Sequence, residues 1–251
     1  MRDYLNSFTY KGINSLDMGL IIAEKSNAYN KAELVIETID VPARGTLIVD
    51  NRTDELDNPQ FNDYTEKYIC YIDIDMLGIS LEEHARRLYA WLYSGDISFN
   101  KLYDTYDEDY YTLAYVSSNA SITDLARRLL GKIEIEFTCK AYKRSIKGDK
   151  LITLTEAITL NNPEAFTSLP YIKIYGSGNI TLSINNRSHA FKDVDEYIEI
   201  DSELMNAYKD KQLQNNKMLT TLFPKFAAGA NNINWIGNVT KVDIIPRWTK
   251  L

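Results

Sequence analysis

The chain has 251 residues and a formal net charge of −7. This acidity argues against a surface that binds nucleic-acid phosphates, where clustered Lys and Arg are expected. The hydrophobic content of 45% and the charged content of 25% are those of a globular protein. A chain of this length can bury a core without a disulfide or a metal as a staple.

The counts and positions of particular residues indicate the kind of surface, the state of the cysteines and whether a targeting segment is expected. Eighteen tyrosines accompany eight phenylalanines, and Tyr suits half-buried β surfaces and wet interfaces because its ring packs while its hydroxyl forms hydrogen bonds. Cys70 and Cys139 lie among aromatic and aliphatic neighbours, so we expect buried, reduced thiols. The opening residues have no apolar core, so we expect no signal peptide. No window is apolar enough for a spanning helix, so we expect no membrane insertion.

The first half of the chain has the alternation of β-strands. Strands are expected at residues 7–10, 18–23, 33–40, 67–76, 99–103, 111–118 and 132–143. The polar segment 50–66 predicts a long loop or an extended hairpin that reaches away from the body of the protein.

One or two helices are expected to cover this sheet. Ser80 and Glu83 form a capping box, and Gly95 is placed to end the helix. Between them Leu88, Trp91 and Leu92 recur at helical spacing. Trp91 is therefore interpreted as a core residue of the helix–sheet interface. A second, short helix is predicted at residues 124–130.

Residues 145–150 form a polar joint, and we place a domain boundary there, giving domains 1–145 and 146–251. Beyond the joint, apolar residues alternate on both sides of Gly176-Ser177-Gly178, which predicts a β-hairpin with its turn at Gly176 and Gly178. Residues 194–208 suit a helix by local propensity.

The stretch from Phe223 to Trp248 reads as a turn around Gly229 and two short strands. Gly237, with the Asn that follows it, is interpreted as the hairpin turn between these strands. Trp235 and Trp248 flank the strands and are expected to be largely buried core residues.

The sequence shows no catalytic, cofactor or metal motif. The acidic residues 104–109 lack the mid-loop Gly and closing Glu of a calcium loop and are interpreted as a solvated turn. His84 and His189 have no Cys or second His at ligand spacing, so we expect surface or hydrogen-bonded histidines. A glycoside hydrolase stays open, because two distant carboxylates suffice for that chemistry.

Short patterns recur along most of the chain: Phe8, Tyr10, Gly12, Ile13, Asn14, Glu136-Phe137-Thr138-Cys139, Pro170, Gly176, Gly178, Gly229, Asn231, Trp235, Gly237 and Pro246-Arg247-Trp248. Together they resemble the siphophage distal tail protein family. Arg44-Gly45 resembles a Gly-Arg-x-Gly turn of the family, although Ala43 stands where the first Gly is common.

The resemblance implies a mainly β fold, with an N-terminal β domain that forms a hexameric ring and a C-terminal galectin-like β-sandwich. Within 194–208 it implies a strand at Tyr197–Ile200, a turn at Asp201-Ser202 and a strand at Met205–Lys209, which we prefer to the helix. It implies no enzyme and no cofactor, because such a protein works through its interfaces.

The resemblance also implies a place and partners. The protein would be a structural virion component at the tail tip, assembled in the host cytoplasm, that connects the tail tube to the host-adsorption apparatus. Its partners would be copies of itself, the tail tube protein, a tail-tip or tail-associated protein and, in some phages, a receptor-binding protein. DNA would pass through without specific binding. An alternative from another class is a carbohydrate-binding module that recognises host cell-wall sugar through exposed Tyr and Trp.

Overall fold

The computed structural model describes residues 5–26, 32–51, 58–73, 78–95, 97–118, 120–124 and 130–251. The chain divides into two compact units. The first contains the described residues among 1–52 and 60–143, and the second contains residues 144–250 together with Asn58 and Pro59. The main division falls between Lys143 and Arg144. The fold is mainly β, as the sequence predicted.

Antiparallel strands build the first unit. They are β1 (Phe8–Tyr10), β2 (Ile13–Asn14), β3 (Leu20–Ser26), β4 (Ile36–Val41), β5 (Gly45–Asn51), β6 (Tyr64–Asp73), β7 (Asn100–Asp104), β8 (Tyr110–Val116), β9 (Ser121–Asp124) and β10 (Leu130–Cys139). The main sheet has the order β2–β1–β7–β8–β10–β6–β3, with β9 beside β10. Its longest pairing joins all of β6 to all of β10.

The helix α1 (Leu81–Tyr93) covers one face of this sheet. It begins as predicted, because the Ser80 hydroxyl accepts a hydrogen bond from the Glu83 N–H at 3.2 Å. Leu88, Trp91 and Leu92 are buried in the same core as the inward side chains of β6 and β10. Of the second predicted helix, residue 124 ends β9, and residues 125–129 lie outside the described residues.

The strands β4 and β5 pair only with each other and form a separate two-stranded sheet. Their turn holds Ala43 and Gly45 at φ of +65° and +78°. The described β4 side chains from Ile36 to Asp40 are all exposed. An isolated hairpin is marginally stable in water, and the exposed β4 side chains add little burial to this one.

The prediction that residues 50–66 form a long loop or an extended hairpin reaching away from the body is wrong at Asn58 and at residues 64–66. Residues 64–66 belong to β6. Asn58 is buried, and its amide donates to the Thr167 carbonyl and accepts from the Thr167 N–H, each at 3.0 Å. A polar side chain with its donor and acceptor satisfied is stable in a buried place, which overrides the low apolar content of the segment. Residues 52–57 lie outside the described residues.

The second unit is also antiparallel. After the short β11 (Lys143–Ser145), which spans the division, its strands are β12 (Ile152–Leu154), β13 (Ile158–Asn162), β14 (Tyr171–Ile184), β15 (Arg187–Val194), β16 (Tyr197–Asp201), β17 (Asn206–Lys209), β18 (Gln212–Leu213), β19 (Gly229–Ile245) and β20 (Thr249–Lys250). The strands β16 and β17 follow the resemblance and not the local helix propensity.

Two long strands, β14 and β19, form the spine of the second unit and pair with each other along most of their length. Their outer neighbours change at the middle. The first half of β14 pairs with β16 and its second half with β15, while β19 pairs first with β13 and then with β12. Apolar side chains from both halves share one core. This arrangement is that of a β-sandwich whose long strands pass from one layer to the other at bulges.

Both hairpins predicted around glycines in the second half are absent, because β14 and β19 run through them. Gly176 and Gly178 lie inside β14, and Gly237 lies inside β19. The register shifts between Tyr175 and Gly176, and again between Ser177 and Thr181. A Gly-rich interruption between two alternating stretches fits a bulge as well as a turn, and the prediction chose the wrong one of the two.

Candidate functional site

The three tryptophans expected in the core lie in three different environments. Trp91 is buried, stacks on Phe8 at 5.7 Å between ring centroids, and donates from its indole N–H to the Tyr10 carbonyl at 3.0 Å. Trp248 is buried in the core of the second unit against Phe226. Trp235 is only partly buried and packs at the margin of that core.

The four glycines expected at turns fall into two pairs, which differ in what surrounds the position of a Cβ. A Cβ on Gly176 would meet the Asn238 carbonyl oxygen at 2.2 Å, and a Cβ on Gly237 would meet the Asn179 carbonyl oxygen at 2.5 Å. These two glycines therefore allow the close approach of the facing bulges. Gly178 and Gly229 have positive φ, with open space where a Cβ would lie.

A cluster of buried charges lies in the first unit, where the sequence analysis placed no site. The Lys25 ammonium contacts the carboxylates of Glu66 and Asp104, each at 2.6 Å. The Tyr68 hydroxyl donates to the Asp104 carboxylate at 2.7 Å. Burial alone would lower the pKa of Lys25, but the two carboxylates raise it above its ordinary value. The cluster thus holds a charged lysine within a fully paired network, which is a structural arrangement.

Of the two histidines, His84 departs from the expectation of a surface or hydrogen-bonded side chain, and His189 meets it. His84 is buried, and within the described part of the chain neither of its ring nitrogens has a hydrogen-bond partner. His189 is also buried, but its Nδ1 lies 2.9 Å from the Leu222 carbonyl, which can only accept, so Nδ1 carries the proton. Burial lowers the pKa of both imidazoles, so both are neutral at pH 7.

The described residues show neither an activated thiol nor a cluster of metal ligands. Cys70 and Cys139 are buried and unpaired, as expected, and burial raises the pKa of Cys70 to about 12. In the described ranges no group of three or more His, Cys, Asp or Glu side chains is placed to hold a metal ion. Among the same residues, no helix has the length and apolar character needed to cross a membrane.

A face of the second unit carries tyrosines that are covered by lysines. The Lys173 ammonium lies 3.7 Å from the centroid of the Tyr197 ring, and the Lys241 ammonium lies 4.1 Å from that of Tyr175. Lys173 also pairs with Glu199 at 2.9 Å. One face of each ring is therefore occupied by a cation of the same chain.

Exposed apolar side chains concentrate at two other places. In the first unit, Leu34, Ile36 and Ile39 are 42%, 43% and 53% exposed on and beside the β4–β5 hairpin. In the second unit, Met205 and Leu222 stand at a cavity of about 420 Å³. Patches of this kind mark surfaces that other molecules cover.

The geometry defines a class of protein: two β units with separate cores, exposed apolar patches and no reactive cluster among the described residues. No family model matches the chain, and no curated protein matches its sequence. Its fold, however, is that of a phage distal tail protein. The structure is similar to that of the SPP1 Dit protein (gp 19.1), described as a paradigm of the hub adsorption apparatus in phages that infect Gram-positive bacteria. The TM-score is 0.74 at 10% identity, over 98% of this chain and 100% of that one.

Two structures of the phage p2 baseplate in its activated conformation, with Sr and with Ca, are more distantly similar. Their TM-scores are 0.48 and 0.47 at 8% and 7% identity, over 96% of both chains in each case. These scores are too low to bear on the fold. The match to SPP1 Dit confirms, at the level of the fold, the resemblance that the short sequence patterns carried.

Proposed function

We propose that the chain is a structural virion protein, the distal tail hub that connects a phage tail tube to the tail-tip apparatus. The observation that carries the proposal is the match to SPP1 Dit along the whole length of both chains. A match confined to one unit would support only a shared domain, whereas this one spans the residues of both units.

The proposed working form is a ring of six copies, formed by the first unit. The β4–β5 hairpin supports this proposal, because it presents Ile36 and Ile39 to solvent and pairs with no other strand of the described chain. An isolated hairpin gains stability when its exposed apolar side chains are covered. A neighbouring copy in a closed ring supplies such cover at every position.

The other proposed partners follow from the same role. The ring binds the tail tube protein on one side and a tail-tip or tail-associated protein on the other, and in some phages a receptor-binding protein, at the tail tip of the virion after assembly in the host cytoplasm. The net charge of −7 suits the passage of DNA without specific binding, because it repels phosphate. Binding of duplex DNA at physiological salt contradicts this part of the proposal.

The test is the mass of the native protein at micromolar concentration, measured by native mass spectrometry and light scattering. The wild-type chain should form a hexamer, and Ile39→Asp should reduce it to smaller species while the fold stays intact by circular dichroism. Leu213→Asp is the matched control, because Leu213 is equally an exposed apolar strand residue, 67% exposed, but lies in the second unit. A monomer that does not depend on concentration, with or without its tail partners, contradicts the ring.

The sugar-binding alternative finds less support. It needs exposed aromatic rings in the C-terminal half, and the large apolar side chains exposed there are aliphatic. The partly exposed rings of Tyr175 and Tyr197 are covered on one face by lysines. We therefore propose a non-catalytic assembly protein and keep sugar binding as an outcome to be measured.

A further inference from the structure

A cavity of about 420 Å³ lies entirely within the second unit, between the end of β16 and the segment before β19. Its lining includes Arg187, Ser202, Met205, Leu222 and Phe223. A second cavity of about 280 Å³ lies beside it and shares Phe223 as a wall. Pockets of this size that combine apolar walls with a few polar groups are the usual form of a binding site.

Two buried hydroxyl groups at these cavities have no hydrogen-bond partner. They are the Oγ of Ser202, at the larger cavity, and the Oγ1 of Thr220, at the smaller one. Ser202 is 1% exposed, and its backbone N–H is satisfied by the Pro170 carbonyl at 3.1 Å, so the hydroxyl alone lacks a partner. A buried polar group without a partner destabilises a fold. Ser202 and Thr220 line the two cavities and carry hydroxyls that lack a partner in the described part of the chain.

Within the described ranges, the larger cavity has a positive charge, that of Arg187, without a carboxylate to balance it. Arg187 is exposed, and among the described residues it forms no ion pair or side-chain hydrogen bond. The nearby carboxylates are already used: Glu203 pairs with Arg144 and Arg247, and Asp201 accepts two bonds from Arg247 at 2.7 and 2.9 Å. A guanidinium group without a partner beside an apolar wall favours a carboxylate ligand.

The walls are held in place without a ligand. The His189 Nδ1–H donates to the Leu222 carbonyl at 2.9 Å, and the Leu219 N–H donates to the Ala190 carbonyl at 2.8 Å. These bonds fasten the segment that carries Phe223 to the strand β15. On the opposite side, the N–H groups of Glu203 and Leu204 donate to the Asp201 carboxylate. A site with fixed walls loses little conformational entropy when it binds.

We propose that this cavity docks an extended segment of a partner protein, which presents an acidic side chain to Arg187 and Ser202 and an apolar side chain to Met205, Leu222 and Phe223. The exposed rim is aliphatic, with Met205 49% and Leu222 61% exposed, and an aliphatic rim suits a peptide side chain better than a sugar ring. The site goes beyond the hub role, because it gives the second unit a binding specificity of its own.

The test uses the full chain with ¹³C-labelled methionine methyl groups, which remain visible by NMR in large assemblies. The Met205 methyl reports on the cavity, and that of Met18, in the first unit, is the internal control. The probes are acetylated peptides that differ only in a central residue: Leu-Glu-Leu, Leu-Gln-Leu and Leu-Lys-Leu. The Glu peptide should shift the Met205 signal and leave Met18 unchanged, and the Gln peptide should bind about tenfold more weakly.

Variants separate the proposed contacts from general effects. Arg187→Gln should remove the preference for Glu over Gln, and Lys192→Gln, an exposed cation on the same strand, should retain it. Ser202→Ala should weaken binding of the Glu peptide several-fold yet raise the Tm, because it removes a buried hydroxyl that lacks a partner. A purely structural serine would show no loss of binding.

Three results overturn the proposal: no shift of Met205 with any peptide, equal binding of the Glu and Lys peptides, or a Met205 shift caused by N-acetylglucosamine in place of the peptides, which favours sugar binding. The native mass of the same samples reports on the ring independently. Failure of the docking site therefore leaves the hub proposal standing, and failure of the ring leaves the docking site standing.

Discussion

At the scale of single residues, Lys25 shows how a buried ammonium group is stabilised in the first unit. Its side chain is almost completely buried, yet it touches two carboxylates that are themselves buried. Removing an ion from water costs several kcal/mol, and good geometry with additional hydrogen bonds offsets that cost. The Tyr68 hydroxyl supplies such a bond to Asp104, and its oxygen lies 3.1 Å from the Glu66 carboxylate. The network is therefore sensitive to the loss of any member.

We expect Lys25→Met to lower the free energy of unfolding by about 3–5 kcal/mol, because it leaves two buried carboxylates without their cation. The measurement is urea unfolding of the full chain, with the transition of the first unit followed by near-ultraviolet circular dichroism. Lys192→Met, at an exposed position, is the control and should change stability by less than about 0.5 kcal/mol. A small effect at Lys25 would mean that the carboxylates take up protons or reach solvent.

The cost in unfolding free energy of replacing each tryptophan by alanine should follow how deeply its side chain is buried. Trp91→Ala and Trp248→Ala should each cost about 3–5 kcal/mol, because each leaves a cavity in a closed core. Trp235→Ala should cost less, about 1–2 kcal/mol, since this side chain is only partly buried. Chemical denaturation of the three variants measures the ranking. Equal costs for Trp235 and Trp248 would place Trp235 deeper in the core than the structure does.

His84 gives a prediction about pH. Burial first, and then the neighbouring Arg87, lowers the pKa of this imidazole in the folded chain. The unfolded chain, with an ordinary pKa near 6.5, therefore takes up a proton before the folded chain does as the pH falls. Stability should be full above about pH 6.5 and decline as the pH falls below that value.

The substitution His84→Leu tests this sign. It should raise stability at pH 7 by about 1 kcal/mol, because a buried polar ring without partners is replaced by an apolar side chain. It should also flatten the decline of Tm between neutral and mildly acidic pH, leaving the part that His189 contributes. An unchanged pH profile would show that His84 does not titrate with unfolding.

At the scale of elements, the bulges of β14 and β19 decide the shape of the second unit. Each long strand bends where a glycine permits close approach, and the two bends face each other. The alternation of apolar residues on both sides of Gly176 and of Gly237 predicted the strands correctly. It did not predict that each pair of short strands is one continuous strand. The close contact that favours a bulge over a turn is made between β14 and β19, which are far apart in sequence.

A comparison of two glycines in the same bulge tests this account. Gly176→Ala should cost about 3 kcal/mol or more, because the new Cβ meets a backbone oxygen that cannot rotate away. Gly178→Ala is the matched control. It has open space around its Cβ and a φ of +78°, so it should cost only about 1 kcal/mol of backbone strain. Thermal unfolding of both variants measures the difference, and equal costs would contradict the close approach.

The sequence predicted elements that depend on neighbouring residues. It did not predict features that depend on contacts between residues far apart in the chain. The cap at Ser80 depends on a residue three positions away, so the start of α1 was readable from the sequence. Glu66 lies on the same face of β6 as Tyr68 and Cys70, and that alternation signals a buried carboxylate, but its partners Lys25 and Asp104 come from other strands. The cavity at Ser202 has no sequence signature, since a serine in a turn is ordinary.

At the scale of the whole molecule, the two units have separate cores. Each core combines strands with apolar alternation and buries its own set of large side chains, which is the physical condition for folding alone. The exposed hairpin belongs to the first unit and the cavity to the second. The proposed ring contact and the proposed docking site therefore lie in different units.

We expect residues 146–251, expressed alone, to fold as a monomer, and residues 1–145 to carry ring formation. The fragment 146–251 lacks Asn58, whose amide satisfies the Thr167 backbone, so it should be about 1–2 kcal/mol less stable than the same unit in the full chain. Light scattering gives the masses and urea unfolding the stabilities. A ring formed by the C-terminal fragment would reverse the roles of the units.

The position of β19 has a consequence for how the protein is made. This strand lies at the centre of the second sheet, beside β14, but residues 185–228 are synthesised between the two. Until β19 leaves the ribosome, β14 has an unpaired edge, and the core that it shares with Val242 and Ile244 is incomplete. The first unit can fold during translation, whereas the second must wait for its last long strand. A chain interrupted before Gly229 thus carries a finished first unit and an aggregation-prone remainder.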